Sequence, residues 1–156
     1  MRYINNILKL LVMLIFVGPM TNLYAETTSP IGYWKTIDDV TGQPKSIIQI
    51  YANSDQTLSG KVIKIFPKPG EDQNKVCEAC KGDKHNQKIV GMTILEGMKT
   101  DGDKWDDGQI LDPKNGKTYH CTFKLIRNGA NLEVRGYIGV SVFGRTQVWE
   151  RVRETL

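Results

Sequence analysis

Two cysteines, Cys77 and Cys80, form the one motif in this chain whose residue types and spacing could carry chemistry. They lie in a polar stretch from Pro67 to Lys88, which is longer than most structureless connections in compact domains, and such loops are usually functional or disordered. A thioredoxin-type redox site would place the first cysteine at a helix N-terminus, where the helix dipole lowers the pKa of the thiol. Here prolines and a glycine precede the pair, so in an oxidising compartment the two cysteines most simply form a structural disulfide. A thiol-disulfide enzyme that uses Cys77 and Cys80 is kept as an alternative.

The same two cysteines could be joined in a metal site by His85, together with Asp83 or His120. A structural zinc site usually shows four ligands in two tight pairs, and this sequence has only one such pair. We therefore expect no metal and no other cofactor.

Acidic residues cluster around Trp105, but their spacing does not match the ligand positions of a calcium-binding loop or a glycosidase carboxylate pair. Turn residues that flank a hairpin explain the cluster without further assumptions. Arg145, Glu150 and Arg151, near Trp149, are interpreted as solvated strand positions and as packing at a barrel floor. Since no nucleophile, base and oxyanion donor occur together, we do not expect an enzyme. The acidic residues concerned are Asp101, Asp103, Asp106 and Asp107.

The elements that must position these residues are strands. From Trp105 to Arg151 nearly every break in the alternating pattern falls on Gly, Pro, Asn or Asp, which indicates consecutive antiparallel hairpins. Short connections without a crossover helix favour an all-β, up-and-down antiparallel β-barrel of about eight strands, whose closure removes exposed sheet edges. A two-layer sandwich is the alternative. The predicted strands are Tyr33–Asp38, Ile47–Tyr51, Thr57–Phe66, Ile89–Leu95, Trp105–Leu111, Lys117–Arg127, Asn131–Ile138 and Arg145–Val152.

The hairpin around Asn128 and Gly129 supports this interpretation. With these two residues at the centre of the turn, one face of the hairpin is apolar and the other is charged or polar, as expected of a sheet with one wet side. A register slip of one residue would destroy this agreement. The apolar pairs are Leu125 with Leu132, Phe123 with Val134, Cys121 with Gly136 and Tyr119 with Ile138, and the polar pairs are Lys124 with Glu133, Thr122 with Arg135 and His120 with Tyr137.

The apolar face is either plain core or the wall of a ligand cavity, because eight strands can fill themselves or hold one small ligand. For a cavity, we predict Tyr119 and Phe123 on the wall and Trp34 and Trp149 near its floor as ligand-binding residues. Cys121 alternates with the first two and is predicted to be a core thiol, since burial in apolar surroundings raises the pKa of a thiol.

The first 25 residues have the pattern of a cleaved secretory signal peptide. Arg2 and Lys9 supply positive charge, Leu10–Val17 is an uninterrupted apolar run, and the segment ends in the small residue Ala25. The run is shorter than the roughly 20 residues that a transmembrane helix needs. Because the first cysteine is Cys77, a lipid anchor on an N-terminal cysteine is not expected. We predict a periplasmic or secreted protein with a single domain over residues 26–156 and no transmembrane segment after cleavage.

The charge of this predicted domain argues against nucleic acid as a partner. Removing Arg2 and Lys9 from the 21 basic residues leaves 19 against 17 acidic residues, so the net charge falls from +4 to +2. The basic residues are scattered along the chain, whereas nucleic-acid binding needs a concentrated positive face.

Two resemblances add to this interpretation. Gly32-x-Trp34 at the start of the first strand, with Arg151 at the end of the last, resembles the lipocalin and wider calycin arrangement in which a Trp packs under an Arg and closes the barrel floor. The span from Gly32 to Arg151 also resembles the bacterial domain-of-unknown-function family 2147 of small exported proteins. His85 is a departure, since Arg is expected there more often. The segments that carry the resemblance are G-Y-W-K, C-E-A-C-K-G-D-K-H-N-Q-K-I-V-G, G-Q-I-L-D-P-K-N-G-K-T-Y, R-G-Y-I-G and G-R-T-Q-V-W-E-R.

The resemblance implies a lipocalin-like barrel in the cell envelope or outside the cell, without established catalytic residues. The leading hypothesis is therefore an exported, non-catalytic binding protein for a small apolar or amphipathic ligand. The second hypothesis is a structural or interaction protein of the envelope, with a filled barrel and a functional surface loop from Cys77 to His85. The third is the redox enzyme described above.

Overall fold

Eight antiparallel strands form a closed barrel in which each strand pairs with its neighbour in sequence and β1 pairs with β8. The computed structural model describes residues 28–153, and the signal peptide predicted over residues 1–25 lies outside them. Within residues 28–153 no helix has the length and apolar character that a membrane span requires. The predicted all-β barrel is confirmed. Its elements are β1 (Gly32–Ile37), β2 (Pro44–Ala52), β3 (Leu58–Ile65), a 3₁₀ turn (Gly82–Lys84), β4 (Thr93–Asp101), β5 (Lys104–Asp112), β6 (Lys117–Ile126), β7 (Asn131–Tyr137) and β8 (Gly144–Val152).

The β6–β7 hairpin has the predicted register. Asn128 and Gly129 have φ angles of 54° and 76°, and a type I′ turn requires positive φ at both of its central residues. The outermost predicted pair, Tyr119 with Ile138, is not formed because β7 ends at Tyr137, and Ile138 is exposed. The pairs that are formed include Leu125 with Leu132, Phe123 with Val134, Cys121 with Gly136, Lys124 with Glu133, Thr122 with Arg135 and His120 with Tyr137.

Strand β4 was predicted too early in the chain. It spans Thr93–Asp101, whereas the sequence pattern placed it at Ile89–Leu95. The residues before it belong to a small hairpin of their own, in which Val76 pairs with Lys88. The strand then continues past the break in its apolar pattern because Gly97 adopts a φ of 71°, a conformation that glycine accommodates without strain.

We call the end of the barrel where β1 begins and β8 ends the floor, and the opposite end the mouth. Side chains pack the barrel interior, and Gly108 in the middle of β5 shows how tightly, because an added Cβ would lie 2.1 Å from the sulfur of Met98. The largest fully buried side chains are Trp34, Trp149, Phe123, Ile47, Ile48, Ile50, Leu95, Met98 and Leu132.

The long connection between β3 and β4, residues 66–92, packs against the outside of the sheet, and we call it the disulfide loop. Leu95 and Ile110 pair on the inner face, so strand alternation directs Ile94 and Leu111 outward. Both are nevertheless buried, with 8% and 7% of their surface exposed. They share one apolar cluster with Cys77 and the second cysteine of its disulfide. The disulfide loop therefore covers an apolar patch on the outside of the barrel.

Candidate binding site at the barrel mouth

Arg151 covers Trp34 at the floor. The guanidinium carbon lies 4.2 Å from the centre of the indole ring, and the indole N–H donates a hydrogen bond of 2.8 Å to the Pro30 carbonyl. The guanidinium also joins the segment before β1 to the β6–β7 turn by donating to three backbone carbonyls. These belong to Ser29 at 2.7 Å, Ile31 at 3.2 Å and Gly129 at 2.7 Å.

Gly32 makes this floor possible. Its φ of 136° strains any other residue, and an added Cβ would lie 3.2 Å from Nη1 of Arg151. Partial burial lowers the pKa of the Arg151 guanidinium, and the positive charge of Arg153 lowers it further. Because Trp34 is fully buried beneath this cover, the floor holds the barrel closed through packing and hydrogen bonds.

The other three predicted binding residues lie at different depths on the inner face. Phe123 is 1% exposed and stacks on Trp105 with ring centres 5.4 Å apart. Trp149 is also 1% exposed. Tyr119 is nearer the mouth and half-buried, and its hydroxyl accepts a hydrogen bond of 2.9 Å from Nδ2 of Asn115. Of the three, only Tyr119 has surface that a ligand entering at the mouth could contact.

Strand β8 lines the interior from floor to mouth with alternate residues, in the pattern R-x-Q-x-W-x-R. Its register against β7 is unbroken from Gly144 to Glu150, so Arg145 and Gln147 face the same side as buried Trp149. The Trp149 indole N–H donates to Oε1 of Gln147 at 3.2 Å. Above the packed core, the inner face of β8 is therefore polar and ends in a guanidinium.

Asp39 reaches this polar row from the β1–β2 connection, residues 38–43, which we call the strap. The Arg145 guanidinium forms an ion pair with the Asp39 carboxylate through Nη2 and donates to it through Nε. Nε2 of Gln147 donates to the same oxygen at 3.4 Å. One carboxylate therefore occupies the hydrogen-bonding groups that β8 presents at the mouth.

The strap has an internal fold that positions Asp39. The Asp38 carboxylate accepts hydrogen bonds from the amides of Val40 at 3.1 Å and Thr41 at 2.9 Å and from the Thr41 hydroxyl at 3.0 Å. The Thr41 amide and then its hydroxyl lower the pKa of Asp38, so the carboxylate is ionised at neutral pH. This Asx-type turn lies at the surface, and Asp39 links the strap to β8 through Arg145 and Gln147.

Gly136 leaves space beside Arg145. The two residues lie opposite each other in the β7–β8 register. An added Cβ at Gly136 would meet Ile110 at 3.5 Å and Tyr119 at 3.6 Å, which are ordinary contact distances. The inner side of the mouth is therefore formed by the partly buried side chains of Ile110 and Tyr119, by Gly136, where there is room for a Cβ, and by the Arg145 guanidinium.

Exposed apolar side chains gather at the mouth end of the barrel, and we call them the rim. Four lie in the β7–β8 connection and the fifth lies in the strap. Arg135 fixes the longer segment, because its Nε donates to the Ser141 carbonyl at 2.9 Å and its Nη2 to the Val142 carbonyl at 3.2 Å. The rim consists of Val40, Ile138, Val140, Val142 and Phe143, which are 91%, 60%, 62%, 77% and 77% exposed.

The predicted Cys77–Cys80 disulfide is confirmed, with a Cα–Cα distance of 5.3 Å. Both cysteines are buried, and the sulfur of Cys77 lies 3.3 Å from the Pro113 carbonyl oxygen. Nδ1 of His85 makes a hydrogen bond of 3.0 Å with the Cys80 carbonyl, which gives this side chain a structural contact within the disulfide loop. The 3₁₀ turn begins at Gly82, after both cysteines, so neither sits at the helix N-terminus that a thioredoxin-type thiol requires.

The third cysteine, Cys121, is fully buried on the inner face. Burial and, to a smaller extent, the nearby Asp106 carboxylate raise the pKa of its thiol to about 12. The neutral thiol is therefore the form present at physiological pH, and it packs as a small apolar group.

The acidic cluster near Trp105 is organised around Lys104. Its ammonium group lies 2.9 Å from the Asp106 carboxylate and 3.0 Å from the Asp101 carboxylate. The hydrogen bond with Asp106 is the main cause that raises the pKa of Lys104, and the hydrogen bond with Asp101 is the second. The Lys104 hydrogen bond in turn lowers the pKa of Asp106. Within the described part of the chain, no three His, Cys, Asp or Glu side chains converge as a metal site would require.

Two surface depressions lie outside the mouth. One of about 310 Å³ runs over the outer face of β5 to β7, between Lys104, Lys124 and Tyr137. The other, of about 280 Å³, lies beside the disulfide loop at Gln73 and Val90. Both are open, and the first is lined mainly by paired charges such as Lys124 with Glu133, whose charged atoms are 3.2 Å apart.

Sequence reasoning missed the residues that form the polar part of the mouth. Arg145 was interpreted as a solvated strand position, and Asp39 and Gln147 were not singled out. The available signal was the phase of β8, because Arg145 and Gln147 alternate in step with Trp149, which had been placed inside. Asp39 carries no comparable signal, since its contact with Arg145 joins residues 106 positions apart.

The closed barrel, its Trp-Arg floor and its eight strands in sequence order define a lipocalin-like protein. The structure is similar to that of the protein HP1028 from Helicobacter pylori, described as belonging to the lipocalin family, with a TM-score of 0.69 and 18% sequence identity over 82% of this chain and 86% of that one. At this identity the likeness shows the fold alone.

The family itself is shown by the sequence. Residues 32–151 match the model of a family described as an uncharacterized protein conserved in bacteria, DUF2147, and the chain belongs to that family. No curated protein is significantly similar to the chain.

Proposed function

We propose that this protein is an exported, non-catalytic binding protein that takes a small apolar or amphipathic ligand at the mouth of its barrel. The observation that carries the proposal is the rim, five apolar side chains that are each at least 60% exposed. Apolar groups gathered on a protein surface mark a binding or interaction site more often than chance exposure does. The lipocalin-like fold supports the same function, because barrels of this size can hold one small ligand.

In this proposal the four predicted ligand-binding residues have different roles. Tyr119 contacts the ligand because it is half-buried near the mouth. Phe123 and Trp149 form the packed base on which the site rests, and Trp34 secures the floor. The ligand therefore binds above the core rather than in a deep cavity, with Gly136 as part of the surface on which it lies.

The disulfide and the predicted signal peptide support a location outside the cytoplasm, in the periplasm or beyond the cell. A disulfide with both cysteines buried is typical of proteins that mature in an oxidising compartment. Under this proposal residues 26–156 are the exported domain.

Binding of Nile red, a neutral apolar dye, tests the proposal. The purified protein should bind it saturably and with one-to-one stoichiometry, and Gly136→Val should weaken binding about tenfold because the added side chain fills the space at the mouth. Thr118→Val, an exposed position on the outer face of β6, is the control and should leave binding unchanged. Unsaturable binding, or equal binding to the Gly136→Val protein, would refute the proposal. Native mass spectrometry of freshly purified protein should also show a copurifying small molecule.

The exposed rim also favours a second candidate, an envelope protein that docks another macromolecule through these side chains. In that case Nile red finds no saturable site. The Phe143→Ser substitution then abolishes capture of the partner, with little effect on stability because Phe143 is 77% exposed.

A further inference from the structure

We infer that Arg145 is a receptor for a carboxylate group of the ligand, and that Asp39 occupies it as an internal competitor when no ligand is bound. The inference rests on the proposed function and deepens it, because it assigns the ligand class: an amphipathic molecule with a carboxylate head group. It follows from the way in which the strap meets β8.

The first observation is the geometry of the contact. One oxygen of the Asp39 carboxylate accepts hydrogen bonds from Nε of Arg145 and Nε2 of Gln147 and forms an ion pair with Nη2 of Arg145. A guanidinium presents its donors in a planar fork that matches a carboxylate. Asp39 thus marks where a carboxylate fits and which groups hold it.

The second observation is that these donors are held in place from below. Gln147 receives the indole N–H of buried Trp149 on its Oε1 atom, so its amide nitrogen is directed away from the core and toward Asp39. Arg145 follows on the same face of the same strand. The strand therefore presents two donors in a fixed order at the top of the core.

The third observation is that the competitor is easily displaced. The Arg145 side chain is 64% exposed and that of Asp39 is 37% exposed, and exposed ion pairs contribute little to stability. The hydrogen bonds between Asp38 and Thr41 hold the turn of the strap, and they do not depend on the ion pair between Asp39 and Arg145. Release of Asp39 thus leaves the barrel intact and frees the guanidinium.

The fourth observation concerns the rest of the ligand. Arg145 lies opposite Gly136 in the β7–β8 register, and a Cβ at Gly136 would be 3.5 Å from Ile110 and 3.6 Å from Tyr119. Arg145 also follows closely on the β7–β8 connection, which carries four of the rim side chains. A carboxylate bound to Arg145 leaves an attached apolar chain next to one or both of these surfaces. A ligand with both parts uses the site fully, whereas an inorganic anion uses only Arg145.

The experiment compares dodecanoate with dodecan-1-ol, which differ in the head group, by isothermal titration calorimetry and Trp fluorescence. Dodecanoate should bind the wild-type protein more tightly than dodecan-1-ol does. Arg145→Gln should weaken dodecanoate binding about tenfold or more, because a charge-assisted contact with the guanidinium is lost, and should leave dodecan-1-ol binding unchanged. Asp39→Asn should strengthen dodecanoate binding by up to about fivefold, the effect expected on removing an exposed ion pair. Arg153→Gln is the control, since it removes one positive charge at the floor end.

The double variant, Asp39→Asn with Arg145→Gln, separates competition from a simple change of net charge. Relative to Arg145→Gln alone it should gain much less than the Asp39→Asn substitution gains in the wild-type background, because the closest contacts of Asp39 are with the guanidinium and only the 3.4 Å contact with Gln147 remains. If the wild-type protein binds dodecanoate and dodecan-1-ol equally well, and Arg145→Gln binds both as the wild type does, the carboxylate assignment is overturned and the proposed function still stands. If neither probe binds although Nile red does, the carboxylate assignment also fails. If none of the three binds, the proposed function fails with it. Unchanged unfolding midpoints of the variants show that altered binding does not reflect misfolding.

Discussion

Replacing Arg151 tests the account of the barrel floor. Its guanidinium makes three hydrogen bonds to backbone carbonyls and lies over the Trp34 ring. Each hydrogen bond contributes about 0.5 to 1.5 kcal/mol net, and a partly exposed cation–π contact adds about 0.5 to 1 kcal/mol. Because the side chain is only partly buried, we take values in the lower half of these ranges. Arg151→Ala should therefore reduce the free energy of unfolding by about 2 to 4 kcal/mol.

Urea unfolding followed by Trp fluorescence measures this change, and the m-value should stay constant because the same surface is exposed on unfolding. Arg151→Lys should recover part of the loss, since an ammonium keeps the charge but cannot reach three carbonyls at once. Arg153→Ala is the matched control; it should be neutral or slightly stabilising, because Arg153 disfavours the charged form of Arg151. A loss below about 1 kcal/mol for Arg151→Ala, the size of an ordinary surface substitution, would show that the floor does not hold the barrel closed.

Three further predictions concern buried groups. Trp34→Ala should cost about 3 to 5 kcal/mol in urea unfolding, because it removes a fully buried ring; a loss near that of a surface substitution would contradict its place at the floor. Replacing Cys77 and Cys80 by Ala should lower the free energy of unfolding by roughly 2 kcal/mol and make the unfolding midpoint insensitive to reductant. Peptide mapping of the wild-type protein should show this disulfide and a free Cys121. The Cys121 thiol should resist alkylation in the native state. Because folding raises its pKa from 9.0 to about 12, its contribution to stability should fall as pH rises through that interval. The Cys121→Ala protein should lack this part of the pH dependence, and equal slopes of unfolding free energy against pH for the two proteins would contradict the prediction.

The sequence predicted the hairpins well because their information is local. The positive φ angles at Asn128 and Gly129 and the alternation on either side are set by neighbouring residues, so the register of β6 against β7 follows from the turn. The same reasoning placed β4 too early in the chain. The residues before β4 form a small hairpin within the disulfide loop, and the strand continues past Gly97, where the apolar alternation breaks.

The mouth could be predicted only in part. The inward direction of Gln147 follows from the phase of β8, because Trp149 is fixed inside the barrel. The approach of Asp39 depends on how β1 and β8 meet in the closed barrel, and no local pattern contains that information. The burial of Ile94 beside the disulfide loop depends likewise on how the loop packs back onto the sheet, and the strand alternation does not contain that information.

The pairing of β1 with β8 has a consequence for the order of folding. The contact joins Tyr33 to Val152 and Trp34 to Arg151, nearly the full length of the described chain. A chain that emerges gradually from a ribosome or a translocation channel can form each hairpin as it appears, so β1 can pair with β2 early, but the other edge of β1 has no partner until β8 has emerged. Contacts between residues this far apart in sequence form slowly because the loop-closure entropy must be overcome first. The edge of β1 that pairs with β8 in the folded barrel therefore stays unpaired, and open to contact with chaperones or other chains, until β8 is available.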